Sequence, residues 1–414
     1  MIEEYSPRFN ETAAHIRRRY EQLGVSEKFA TEEATDPHGW TVKLRLATAD
    51  WFCRWLSGSR GPAREPRYTP EEPQALWCTP TGSIRYSGRG DTVFTSIARK
   101  QAALPPVRPA PQSPSDVAAF RRQIEPEIRS LLRYRRTEAP MAVRHLVTTP
   151  RKEYAVDKIE FLSEPGVYIP TWVFLPENKL SGPAILFVDE AGKQAQGLED
   201  GLLEQMAQRG RLVAAIDVRG IGATRPRGGS SVPGFGHLVS TETGLSYLAW
   251  AMDESLFGMR VQDVIRSVDY LLSRPDVDHA GVRVIGRGMG ALWALYAAAL
   301  DTRIQATICE RSLLSYRTLT ASDRYLHGAD IFLPEVLKHF DLPHVAASIA
   351  GRHLVLLSPV DAMKRPVDAA LARNAYKWTA QAYAAADAAD RFRIASRDSE
   401  AGPVDQYLDL LAIH

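Results

Sequence analysis

Five short apolar runs, each closed by a turn, constrain this chain more than any other feature. They read AILFVDE (184–190), RLVAAIDVRG (211–220), VRVIGRGMG (282–290), IQATICE (304–310) and RHLVLLSPVD (352–361). Runs this continuous leave no polar face for water, so they suit strands buried on both sides. Helix-like stretches separate or follow them: GLEDGLLEQMAQRG (197–210), RVQDVIRSVDYLLSRP (260–275), ALWALYAAAL (291–300) and VDAALARNAYKWTAQAYAAAD (367–387). Residues 116–135 also read as a helix, 158–178 as two strands around Pro165-Gly166, RFRIASRD (391–398) as a last strand and VDQYLDLLAI (404–413) as a closing helix. Alternation at this spacing predicts an α/β fold with a doubly wound, mostly parallel sheet. No repeat is visible within this region.

The front of the chain differs. Residues 11–23 read as a helix with Ala14, Ile16, Tyr20 and Leu23 on one side. A short strand is expected near 28–33, then the turn DPHGW, then a helix over 44–56. In that helix Leu44, Ala47, Trp51 and Trp55 make one apolar stripe, which needs something large to pack against. Residues 57–117 are proline-rich, as in SGSRGPAREPRYTPEEP and ALPPVRPAPQSPSD, and read as a linker with short strands.

Composition excludes several classes. The chain has 414 residues, 45% hydrophobic and 24% charged, with a formal net charge of +2. That balance gives no electrostatic reason to expect nucleic acid or an anionic membrane surface. No run of about 18 apolar residues predicts a membrane span, and MIEEYSPRFNETAAHIRRRYEQLG has no apolar stretch of the secretory kind. Cys53, Cys78 and Cys309 are far apart, which excludes a disulfide-rich scaffold and leaves the compartment open. No cofactor and no metal are expected. His327 with Asp323 and Asp330 is the best of the weak metal clusters.

In a doubly wound sheet, chemistry gathers at the carboxyl ends of the strands. Three such ends matter: the turn Gly286-Arg287-Gly288-Met289-Gly290, the SPVD stretch ending in Asp361, and the loop after AILFVDE. With the strand order, this is the layout of an α/β-hydrolase. The segments EPGVYIPTWVFLPE, AIDVRGIGATRP, RPDVDHAGVRVIGRGMGALWALYAAALD and DLPHVAASIAGRHLVLLSPVDA, in this order, resemble the acetyl xylan esterase and dienelactone-hydrolase branch of that superfamily over roughly residues 150–414.

The resemblance implies a serine on the bend, a histidine to take its proton and a carboxylate to orient the histidine. Gly288 stands where the serine belongs and has no oxygen to attack a carbonyl. Asp361 matches the carboxylate. The histidine belongs in FRIASRDSEAGP, which holds none, and His414 comes too late. The oxyanion-hole donors would be the amide of Met289 and one near Glu190 or Ala191. Arg287 is expected to pair with Asp361 or Glu310 in the vacated pocket. Ser246, Ser312, Ser315 and Ser358 lie near strand ends, but none sits on the bend. His237, His339 and His344 have no metal-like spacing with acidic partners.

The first sixty residues resemble the tail of such a domain. AAHIRRRYEQLGVSEKF, EEATDPHGW and LRLATADWFCRWLSG look like a last helix, strand, histidine loop and closing helix, with His38 matching the catalytic histidine. The implied organisation is a remnant of a first hydrolase domain (1–58), a proline-rich linker (59–115) and a second hydrolase domain (116–414), as in a truncated or split tandem protein. The expected function is that of a carboxylic-ester hydrolase by descent, silent here because of Gly288, with an ester or carbohydrate as ligand. Two alternatives stand: a non-catalytic structural or carbohydrate-binding module, and a split esterase in which His38 completes a triad with a partner chain carrying the rest of the first domain.

Overall fold

The computed structural model describes residues 6–37, 39–58, 61, 63–88, 90–104, 108–177, 182–226, 240–398 and 402–411. The chain divides into two compact units, Met1–Gly90 and Asp91–His414.

A nine-stranded sheet organises the second unit. Its strands are β1 (Arg144–Pro150), β2 (Tyr154–Glu164), β3 (Val167–Pro176), β4 (Ile185–Asp189), β5 (Val213–Ile216), β6 (Val282–Arg287), β7 (Ile304–Glu310), β8 (His353–Leu357) and β9 (Phe392–Ala395). They lie in the order β1-β2-β3-β5-β4-β6-β7-β8-β9. β1, β2, β3 and β5 pair antiparallel, and every ladder from β5 through β4 to β9 is parallel. The five apolar runs are β4 to β8. Alternate side chains of these strands feed two cores. Leu186, Val188, Ala214, Ile216 and Val284 join the helices Pro114–Leu132, Leu256–Ser273 and Met289–Leu300 on one face. Ile185, Phe187, Val213, Ala215 and Ile285 join Leu202–Gln208 and Pro403–Leu410 on the other. β1 was not legible as a strand, because most of its residues are exposed on both faces of an edge strand.

The expected strands between 59 and 115 do not form among the described residues. Val93–Ala102 is instead a helix closed at its start by a Thr92–Thr95 capping box, and Thr320 Oγ1 hydrogen-bonds Gln101 beside it. Of the expected strand at 28–33, Lys28 ends a 3₁₀ turn, Ser26–Lys28, Phe29 is extended, and residues 29–33 have no ladder partner. The helices Ser6–Gln22 and Val42–Phe52 flank it. Among described residues of this first unit, Ala13 is the one buried apolar side chain, at 9% exposure.

Helix Leu256–Ser273 approaches helix Pro114–Leu132 so closely that a Cβ on Gly258 would stand 1.8 Å from the Leu132 carbonyl oxygen. Backbone cannot yield as a side-chain tip can. Gly258→Ala is therefore expected to lower stability by about 1–3 kcal/mol. Gly244→Ala, in helix Thr241–Ala251 with nothing within 4 Å of the added methyl, is expected to gain up to ~1 kcal/mol from helix propensity. Urea unfolding midpoints of the two variants check the pair.

Candidate active site

The sheet reverses its order of connection around β4, which pairs with β5 on one side and β6 on the other. A crevice opens at the carboxyl ends of strands at such a point. Here β6 leaves the sheet and turns at once into the buried helix Met289–Leu300. The flanking glycines let the two backbones pass. A Cβ on Gly286 would lie 2.4 Å from the Gly290 carbonyl oxygen, and one on Gly290 would lie 2.2 Å from the Val188 carbonyl oxygen. Between them Gly288 takes φ 59° and ψ −123°, a conformation that strains any residue with a Cβ.

The space beside Gly288 is filled. A Cβ there would meet the Glu190 carboxyl carbon at 2.3 Å and its oxygens at 2.4 and 2.7 Å. One of those oxygens, Oε2, accepts a hydrogen bond from the Met289 amide at 3.1 Å. That amide is the first of the helix and has no partner within it, and the positive end of the helix dipole favours an anion at this place. Lys364 Nζ stands 3.5 Å from the same oxygen. The Glu190 amide donates to the Arg287 carbonyl at 3.3 Å, and the Ala191 amide donates to Asp189 Oδ1 at 2.9 Å. Glu190 thus enters the site through its carboxylate rather than its backbone, and every amide named from sequence as an oxyanion donor already has an acceptor.

Asp361 lies in the loop after β8. Its Oδ1 accepts from the amides of Met363 and Arg365 at 2.8 and 2.9 Å, and its Oδ2 pairs with the Arg365 guanidinium at 2.7 Å. Burial pushes its carboxyl up, but the bonds from Arg365 and Met363 prevail and hold it below the usual range. No imidazole reaches this carboxylate among the described residues. The His327 ring binds the Asp361 backbone carbonyl instead, at 3.1 Å. His327 is 8% exposed, and burial lowers its proton affinity. Glu190, Gly288, Met289, His327 and Lys364 line a cavity of about 20 Å³, room for roughly one water.

Arg287 does not reach Asp361. Its guanidinium lies 3.2 Å from Asp189 and 3.0 Å from Glu310. Glu310 also holds Arg397 at 2.7 Å and the Tyr407 hydroxyl. The ends of β4, β6 and β7, the residue two past β9 and the closing helix are tied by this half-buried network. A second one centres on the fully buried Arg260, which pairs with Asp330 at 2.8 Å and Glu242 at 2.5 Å and donates to the Arg219 carbonyl.

The other sequence candidates sit elsewhere. Asp330 is taken by Arg260 and His327 by a carbonyl, so the weak metal cluster does not assemble, and no group of three metal-binding side chains occurs among the described residues. Ser315 donates to Asp341, and Ser358 Oγ accepts from the Arg397 amide. Ser246 and Ser312 are buried with unbonded hydroxyls. His344 accepts from the Asp341 amide, and His339 lies 4.0 Å from Glu127. His38, His237 and His414 lie outside the described residues. Sequence reasoning missed the plugging role of the Glu190 side chain. The signal was a long acidic residue immediately after β4, beside a bend with glycine at position 288.

The sheet order and the bend after β6 define an α/β-hydrolase-fold protein. The chain belongs to the acetyl xylan esterase (AXE1) family, whose family model matches residues 108–327. It is 27% identical over 271 residues to "Putative hydrolase YtaP" of Bacillus subtilis (strain 168), covering 62% of this chain and 85% of that protein. Among solved structures it is similar to a "putative acetyl xylan esterase" of Bacteroides fragilis NCTC 9343, with a TM-score of 0.61, 18% identity, and 78% and 86% of the two chains covered. It is also similar to a glucuronoyl esterase of Solibacter usitatus, with a TM-score of 0.51, 16% identity, and 76% and 99% covered. At these identities the structural likenesses establish the fold alone.

Two predictions follow from the site's geometry. Gly288→Ala is expected to cost about 1–3 kcal/mol from backbone strain and displacement of Glu190. In a Glu190→Ala background the displacement is gone, so the cost should shrink by roughly 0.5–3 kcal/mol; a four-member cycle of denaturation midpoints measures this. His327 binds its proton less readily folded than unfolded. Its contribution is whole above the ordinary histidine value of 6.5 and is lost as pH falls below it. The stability difference between about pH 7.5 and about pH 5 should therefore be smaller in His327→Gln than in the parent chain.

Proposed function

We propose that the unit Asp91–His414 is a catalytically silent member of the acetyl xylan esterase family, a carboxylic-ester hydrolase by descent. One observation carries the reading: the Glu190 carboxylate occupies the volume of a side chain at position 288 and binds the Met289 amide. Acyl transfer needs an oxygen nucleophile at that place and free donors for the developing oxyanion. Gly288 supplies no oxygen. A carboxylate on the amide opposes a second negative charge. The ligand-binding alternative has less support at this bend, since a cavity of about 20 Å³ admits a water and not a sugar ring.

The purified chain is expected to hydrolyse p-nitrophenyl acetate no faster than buffer and to take no label from a fluorophosphonate. Gly288→Ser is expected to stay inactive, because no histidine stands in the loop after β9 to take its proton. Turnover that the fluorophosphonate abolishes would contradict the reading.

A further inference from the structure

The first unit contains a second copy of a structural motif that closes the sheet of the second. In the second unit the helix Lys377–Ala385 ends in a left-handed residue, Asp387, and passes through a 3₁₀ turn, Ala389–Arg391, into Phe392, the first residue of β9. In the first unit the helix Ser6–Gln22 ends in left-handed Gly24 and passes through Ser26–Lys28 into Phe29. The hydrogen bonds match in register. Ala386, Asp387, Ala388 and Arg391 donate to the carbonyls of Ala382, Ala384, Tyr383 and Ala388. Leu23, Gly24, Val25 and Lys28 donate to those of Arg19, Glu21, Tyr20 and Val25, with the same spacings throughout. In each copy a tyrosine nine residues earlier packs its ring on the phenylalanine, at 5.2 Å for Tyr383–Phe392 and 5.5 Å for Tyr20–Phe29. A helix follows in both, Pro403–Leu410 and Val42–Phe52.

The second copy shows what covers such a motif. β9 adds in parallel to β8, from Leu354↔Phe392 to Leu357↔Ala395. The closing helix buries Val404, Tyr407 and Leu411 with Leu203 and Met206 of the helix Leu202–Gln208. In the first copy, backbone from Phe29 onward has no ladder partner, and helix Val42–Phe52 buries no residue. Large apolar groups stand open there: Trp40 at 61% exposure, Phe52 at 55% and Leu56 at 79%. Apolar surface and unpaired strand backbone together are what a sheet edge satisfies.

We propose that residues 19–57 are the closing segment of another α/β-hydrolase sheet, and that they dock in parallel on the edge of a hydrolase domain that ends at a β8-like strand. The inference does not depend on the reading of Gly288. It is tested by hydrogen exchange on the intact chain and on a chain lacking residues 377–414, which leaves β8 as an open edge. In the intact chain, residues 29–33 should exchange at nearly the rate of unstructured peptide. In the shortened chain residues 29–33 should slow by at least roughly tenfold, and residues 354–357 should exchange at least roughly tenfold more slowly than in the same shortened chain carrying Phe29→Asp. Slow exchange of residues 29–33 in the intact chain, at any protein concentration, would overturn the proposal, because the face would then be covered by this chain or a second copy. Exchange at 354–357 that Phe29→Asp leaves unchanged, or a shortened chain recovered only unfolded, would also count against it.

Discussion

The interaction on which this site depends is the bond between the Glu190 carboxylate and the Met289 amide. It satisfies the orphan amide of a buried helix, places an anion on the positive end of the helix dipole, and fills the space that glycine leaves at position 288. Glycine and glutamate fit as a pair. A side chain at 288 would need Glu190 to leave, and its departure would leave the amide unbonded. Lys364, at 3.5 Å, neutralises the carboxylate from the solvent side. The bend between β6 and the helix Met289–Leu300 is thus closed by an electrostatic contact.

Around that contact the fold is held by ordinary hydrophobic packing and by two ionic networks, one half-buried around Arg287 and one buried around Arg260. Each network is made of arginines with more than one partner: Arg287 with Asp189 and Glu310, and Arg260 with Asp330 and Glu242. A guanidinium taken out of water is tolerable only when its donors are met in this way. The first network ties the ends of β4, β6 and β7 to the closing helix, and the second ties Arg219, Glu242 and Asp330 to the helix Leu256–Ser273.

Much of the fold was legible in the sequence because β4 to β8 are largely buried on both sides and therefore mostly apolar. β1 was not, since an exposed edge strand carries no such run. The stretch 76–96 suggested strands by its residue types, but from Val93 onward it is a helix with a local capping box at Thr92. At the site, Gly288 and Asp361 were singled out by the resemblance to a known family, and each lies just beyond the carboxyl end of a strand, β6 and β8. The partners could not: Arg365 on Asp361, Asp189 on Arg287 and the Asp361 carbonyl on His327 are choices between acceptors that lie close only after folding. Glu190 was placed in the right loop and given a backbone role, because sequence does not tell which way a side chain turns.

The most direct measurement is the electron density at this bend in a crystal of the chain grown with a phosphonate ester, a mimic of the acyl-transfer intermediate. The account predicts the Glu190 carboxylate on the Met289 amide, and no phosphonate joined to any side chain there. A phosphonate bonded to a serine oxygen, with Glu190 swung out to solvent and the Met289 amide turned to the phosphoryl oxygen, would contradict it.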